Sequence, residues 1–95
     1  MYFPKLALKA HYWIPETIHI ILENTSRNKD GVTKTQLMYR ASLSYIQLVE
    51  YLTLLRKSNL IEYRPSTATY RTVERGFRFL QVTKEMNQLV MARRA

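Results

Sequence analysis

The chain has 95 residues, 46% of them hydrophobic, which is enough for one small folded domain and too few for two. It holds no cysteine and no apolar run of about 18 residues, so we expect a cytoplasmic protein without disulfides, thiolate chemistry or a membrane partner. Lysine and arginine number 15 against 7 aspartate and glutamate, and the net charge of +8 favours a polyanionic partner.

The N-terminal segment, residues 1–14, is unusually aromatic. Aromatic side chains are costly to leave in water, so we expect this segment to pack on the domain or across a dimer interface rather than to bind a ligand. The residues concerned are Tyr2, Phe3, Tyr12 and Trp13.

The first predicted helix starts at Pro15, whose fixed φ suits a first helical position, and Glu16 complements the helix dipole there. Its apolar residues, Ile18, Ile21 and Leu22, share one face. A polar loop at residues 26–31 follows, and Val32 is predicted to form a single strand residue.

Two capping boxes dominate the middle of the chain. Thr33 precedes Gln36 by three residues, and Ser44 precedes Gln47 by three, so each hydroxyl can accept from a free helix N–H while the glutamine reaches back. The boxes predict a short helix at residues 34–41, a three-residue turn and a longer second helix. These are the proportions of a helix-turn-helix.

The apolar pattern agrees with this pair of helices. Leu37, Met38 and Ala41 share a face of the first helix, and Leu43 is the apolar residue of the turn. A second stripe has helical spacing and favours core positions for its members, Tyr45, Leu48, Leu52 and Leu55. An ordinary helical hairpin of an all-α protein is the alternative.

A β-hairpin is predicted after the second helix. Residues 60–64 and 69–73 are rich in β-formers and are separated by a turn at 65–68. Three helices followed by a hairpin is the order of a winged helix-turn-helix domain, here residues 15–73. Gly76 is unfavourable in a helix, so we expect it to allow close backbone approach to the hairpin or the first helix.

The last helix is predicted from Thr72, as its cap, to about Arg93, and residues 74–95 form a separate coiled-coil-like unit. One stripe, Val73, Phe77 and Leu80, suits the domain core. A second has the spacing of a coiled-coil seam: Phe79, Val82, Met86 and Leu89. Because one small domain leaves this seam uncovered, we expect a homodimer. Folding of the seam onto the N-terminal segment is the alternative.

Catalytic and metal-binding patterns are missing. His11 and His19 lack partners at ligand spacing, and two glycines, Gly31 and Gly76, make no phosphate loop. We therefore expect no enzyme, no metal and no cofactor.

Several blocks of the sequence carry a family resemblance: KTQLMY at 34–39, ASLSY at 41–45, Leu-Ile at 60–61 and TVERG at 72–76. Over residues 33 to 82 the chain resembles the archaeal winged-helix proteins that include small, basic, chromatin-associated DNA-binding proteins. The resemblance implies a mainly α fold with a winged helix-turn-helix, binding of double-stranded DNA, and dimerisation through an antiparallel coiled coil of the last helices.

Site residues follow from the same resemblance. Ser42 and Ser44 would contact phosphates together with helix N–H groups, and Gln47 would face bases. Arg64 and Arg71 flank the wing and would reach an adjacent groove or backbone. The remaining positions that would meet DNA are Lys34, Arg40 and Tyr45.

The exposed face of the second helix departs from the pattern of a DNA reader. It is predicted to show Ile46, Val49, Glu50 and Thr53, which could meet thymine methyl groups or another protein. The charge then favours weakly specific, backbone-dominated DNA binding by a nucleoid-associated transcriptional regulator or architectural chromatin protein. The alternative is an assembly module that binds a protein partner through Ile46 and Val49.

Overall fold

The structure of the protein, a computed structural model, describes residues 16–94. Within this range the chain forms four helices and one two-stranded sheet, so the predicted fold class is confirmed. The elements are α1 (Glu16–Arg27), α2 (Lys34–Ala41), α3 (Tyr45–Lys57), β1 (Ile61–Arg64), β2 (Thr69–Thr72) and α4 (Glu74–Arg94). The aromatic N-terminal segment lies outside the described residues, as does Pro15, so the expectations for both stay predictions.

Both capping boxes form as predicted. Thr33 accepts from the Gln36 N–H at 3.2 Å, and Ser44 accepts from the Gln47 N–H at the same distance. Each glutamine side chain in turn accepts from the backbone N–H of its cap. The short turn between α2 and α3 begins at Ser42, whose left-handed backbone (φ 54°) ends α2.

The hairpin is antiparallel and extended by one bridge. Tyr63 lies opposite Tyr70, and Ile61 lies opposite Thr72. Val32 exchanges two backbone hydrogen bonds with Tyr70, at 2.9 and 2.8 Å, so the predicted single strand residue is confirmed. This bridge attaches the hairpin to the start of α2.

One hydrophobic core joins α1, α2, α3, the hairpin and the start of α4. The predicted core residues of α1 are buried, and Leu43 and Met38 pack against the core from the turn and α2. Its buried members are Ile18, Ile21, Leu22, Val32, Leu37, Leu48, Leu52, Leu55, Leu60, Ile61, Tyr70 and Leu80. This core holds α3 with one side buried and the opposite side in solvent.

Three aromatic positions differ from the sequence prediction. Tyr45 is 53% exposed and Phe77 is 49% exposed, so assigning them to the core was wrong. Phe79 is half-buried and packs against the core, whereas the prediction put it on the free seam of α4. The spacing of apolar residues shows which of them share a helix face, but it does not show which members of that face lie beyond the edge of the core.

The start of α4 also differs from the prediction. The helix begins at Glu74, and Thr72 is the last residue of β2 rather than a cap. Its hydroxyl is buried, lies 2.7 Å from the Thr25 hydroxyl and donates to the Leu22 carbonyl at 3.1 Å. Thr72 therefore ties the base of the hairpin to α1.

Gly76 allows the close approach that was predicted. A Cβ at this position would lie 2.2 Å from the Leu60 carbonyl oxygen and 2.5 Å from Thr72 Cγ2. The glycine lets α4 cross directly over the base of the hairpin.

At the other end of the core, α1 continues to Arg27. The predicted loop at 26–31 is thus shorter by its first two residues.

Candidate nucleic-acid interface

The side of α3 that faces away from the core forms an exposed stripe. Its members, here called the outward stripe, are spaced four, three and four residues apart and are all exposed: Ile46, Glu50, Thr53 and Lys57. Ile46 is 72% exposed. Val49, predicted on this face, is half-buried and lies to one side of the stripe.

The start of α3 presents free backbone donors. The Gln47 N–H is bonded to Ser44, so the N–H groups of Tyr45 and Ile46 are left without an intrahelical acceptor, as at any helix start. Gln47 Oε1 accepts from both the backbone and the hydroxyl of Ser44, at 3.1 and 3.2 Å. The cap thus occupies the acceptor of Gln47 and leaves its amide N–H groups to donate.

Two cations lie over aromatic rings on either side of α3. Lys34 Nζ lies 5.5 Å from the centroid of the Tyr45 ring, and Arg56 Cζ lies 5.5 Å from that of Tyr63. Such contacts hold a cation in place while its charge stays available to an anion. The first links α2 to α3, and the second links α3 to β1.

Tyr70 packs against the aromatic ring of the second pair. Its ring centroid is 4.8 Å from that of Tyr63. Burial raises the pKa of the Tyr70 phenol, while the positive charges of Lys34 and Arg56 act in the opposite direction. The burial of Tyr70 therefore outweighs the effect of the two positive charges on its phenol.

The outer face of the hairpin carries charge of both signs. Arg71 lies opposite Glu62 in the strand register. Because successive side chains of a strand point to opposite faces, Glu62 and Arg64 of β1 lie on the same face of the hairpin as Arg71. Arg64 forms an exposed ion pair with Glu62 at 3.9 Å. Two arginines with one carboxylate leave this face cationic.

Comparison with known families agrees with this geometry. Residues 15–91 match the family model described as winged helix-turn-helix. The chain belongs to the winged helix-turn-helix family. Comparison with curated proteins finds no significant match.

In winged-helix terms, α2 and α3 are the helix-turn-helix pair, α3 is the recognition helix and the hairpin is the wing. The recognition helix of such a domain enters the major groove with its N-terminal residues towards base edges. The winged helix thus indicates DNA binding in general.

The predicted site residues divide into three groups on the winged-helix frame. Ser44, Tyr45 and Gln47 lie together at the start of α3, with Lys34 against the Tyr45 ring. Arg64 and Arg71 lie on the outer face of the wing. The other two lie along α2 and its turn: Ser42 is exposed, and Arg40 Nη1 donates to Asn24 Oδ1 of α1 at 3.2 Å.

Sequence reasoning left two cations out of the site. Lys57 belongs to the outward stripe and was recognisable from its spacing of eleven residues from Ile46, three helical turns. Arg56 was not recognisable in this way, because its place over Tyr63 depends on how the wing packs against the recognition helix.

Over residues 16–94, no cluster of three or more histidine, aspartate or glutamate side chains has the arrangement of a metal site. The helices of the same range include none with the length and apolar character that crossing a bilayer requires.

Proposed function

We propose that the protein binds double-stranded DNA as a homodimer, with α3 in the major groove and the wing against the neighbouring backbone. It would act as a transcriptional regulator or an architectural chromatin protein. The observation that carries this proposal is the exposed start of α3 with Lys34 beside it, together with Arg56 in the last turn of α3 against the wing and the two arginines on the outer face of the wing.

Most of the affinity would come from the DNA backbone. The free N–H groups of Tyr45 and Ile46 and the positive end of the helix dipole suit one phosphate. Lys34 beside this position, Lys57 at the other end of α3 and Arg71 on the wing would contact further phosphates. Such contacts position a protein on DNA without reading its sequence, and their strength falls steeply with salt.

The dimer would form through the far half of α4. Three large apolar side chains there are 54%, 42% and 68% exposed: Val82, Met86 and Leu89. They share one side of the helix at four- and three-residue spacing, as in a coiled-coil seam. A second copy of the same helix offers a matching stripe, and pairing would present two wings and two recognition helices to one duplex.

The protein-assembly alternative has less support. It needs Ile46 and Val49 as one exposed apolar patch, and Val49 is half-buried. Ile46 alone, beside the charged Glu50, is a small surface for a protein partner.

A salt titration with a fluorescent duplex tests DNA binding. We expect the logarithm of the binding constant to fall linearly with the logarithm of salt concentration. In the double variant Arg64→Ala, Arg71→Ala, the slope should decrease by roughly two, since each phosphate contact contributes about 0.9. The loss of affinity in this variant should be about the same for duplexes of different base sequence.

The matched control is the double variant Arg78→Ala, Lys84→Ala. It removes the same charge from α4, where both cations form ion pairs with carboxylates. We expect its slope to stay close to that of the wild type. Weak binding that does not vary with salt would refute the proposal, and equal losses in the two double variants would remove the wing from the site.

A further inference from the structure

The outward stripe of α3 is poor in hydrogen-bond donors. Ile46 has none, and Glu50 as a carboxylate can only accept. The Thr53 hydroxyl donates to the Val49 carbonyl at 2.8 Å, so its proton is already used within the helix. Lys57, at the end of α3, is the one member of the stripe that offers free donors.

This chemistry restricts which base edges the stripe can match. Guanine shows two acceptors in the major groove, N7 and O6, and its usual partners are the donors of arginine and lysine. The first three members of the stripe cannot supply such donors. An apolar side chain instead matches the one apolar group in the major groove, the C5 methyl of thymine.

Ile46 is the member of the stripe best placed for such a contact. It lies in the first turn of α3, where a recognition helix meets base edges, and 72% of its surface is exposed. The backbone N–H of the same residue is one of the donors proposed above to bind a phosphate, so the backbone contact and the side chain would act at one point. The cations around α3 make a polyanion the complementary occupant of this face.

We propose that Ile46 packs against thymine C5 methyl groups in the major groove and gives the protein a preference for sites with thymine at that position. This inference rests on the DNA binding proposed above. It assigns base preference to an apolar contact rather than to a hydrogen bond.

The test compares duplexes that differ only in methyl groups. Binding is measured by fluorescence anisotropy, at one ionic strength, to an alternating A·T duplex and to the same duplex with deoxyuridine in place of thymidine. Loss of the methyl should weaken wild-type binding about fourfold for each methyl contacted, the effect of one buried methylene-sized group. A G·C duplex with 5-methylcytosine, which places a methyl at the same position, should bind more tightly than plain G·C.

Ile46→Ala is the variant that links the effect to the side chain. Alanine is favourable in an exposed helical position, so the variant should fold, and it keeps the charge and hence the salt slope. Its preference for thymidine over deoxyuridine should fall to about one. Val49→Ala, a similar truncation on the half-buried flank, is the control and should keep the wild-type preference.

Three results would count against the proposal in different ways. Equal wild-type affinity for both duplexes, with a steep salt slope, would overturn methyl recognition while leaving DNA binding intact. A preference that persists in Ile46→Ala would also overturn it, because the two duplexes would then differ through their deformability. Absence of salt-dependent binding to any duplex would refute the proposed function itself, and Ile46 would then be tested for contact with a protein.

Discussion

Tyr70 shows how a single residue holds the wing against the rest of the domain. It is 4% exposed, pairs through its backbone with Val32, and stacks at a tilt on Tyr63. Burial disfavours its phenolate, which raises the pKa above the ordinary value of 10.0. The folded state therefore holds the phenolic proton more tightly than the unfolded chain does.

Because the pKa of Tyr70 is raised in the folded state, we expect the protein to lose stability at alkaline pH. The contribution of Tyr70 to stability should be fully present below about pH 10 and lost as pH rises through the higher folded-state pKa. Urea unfolding from about pH 8 to about pH 11 should show a steeper loss for wild type than for Tyr70→Phe. Tyr39→Phe removes the same hydroxyl from a residue that is 82% exposed and should behave as wild type. Identical pH profiles for wild type and Tyr70→Phe would contradict the expectation.

At the scale of elements, the crossing of α4 over the wing depends on the absence of a side chain at Gly76. Gly76 places the α4 backbone against the Leu60 carbonyl, which accepts from the Val73 N–H at 3.1 Å. Backbone atoms on both sides leave little room for adjustment. The first turn of α4 and the start of β1 therefore pack as one unit.

Gly76→Ala should disrupt this unit. The new Cβ would meet a backbone oxygen, and we expect the free energy of unfolding to fall by about 2–4 kcal/mol despite the better helix propensity of alanine. Gln81→Ala, at an exposed position of the same helix, should change it by less than about 0.5 kcal/mol. Chemical denaturation measures both, and an unchanged midpoint for Gly76→Ala would mean that α4 can move away from the wing at little cost.

At the scale of the whole molecule, α4 is longer than the domain needs. Its first turns reach the core through Leu80 and Thr83, which are 6% and 5% exposed. Beyond them, Leu89 is 68% exposed although leucine is among the residues most often buried. An apolar stripe that residues 16–94 leave uncovered is typical of an interaction surface.

Leu89→Glu should therefore produce a monomer. A charge within a coiled-coil seam is unpaired and desolvated, so the dimer expected for wild type should dissociate in sedimentation equilibrium. Gln88→Glu adds the same charge at the preceding residue, which lies off the stripe, and should leave the mass of the particle in solution at the wild-type value. If Leu89→Glu and wild type have equal mass, the stripe is not the dimer interface.

The sequence predicted best what depends on neighbours along the chain. The capping boxes of α2 and α3 were located to the residue, because Thr33 and Ser44 find their partners three residues away. Thr72 was misassigned for the opposite reason, since its hydroxyl bonds to Thr25, 47 residues earlier.

Burial and cross-element contacts were predicted less well. Tyr45 and Phe77 fit an apolar period but extend past the edge of the core, which only the packing of helices decides. The contacts of Lys34 with Tyr45 and of Arg56 with Tyr63 also join separate elements and left no trace in local spacing. The outline of the candidate site was thus predictable, whereas the placement of its cations was not.

The buried hydroxyl pair of Thr25 and Thr72 has a mechanical consequence. With the base of the wing pinned to α1 and its middle held to α3 by Arg56 over Tyr63, the wing cannot swing relative to the recognition helix without breaking these contacts. The spacing between the wing and the recognition helix is therefore fixed by the folded domain. A duplex whose groove width does not match that spacing would have to widen or narrow its groove in order to bind. Because the energy of this deformation depends on DNA sequence, it would contribute to any sequence preference.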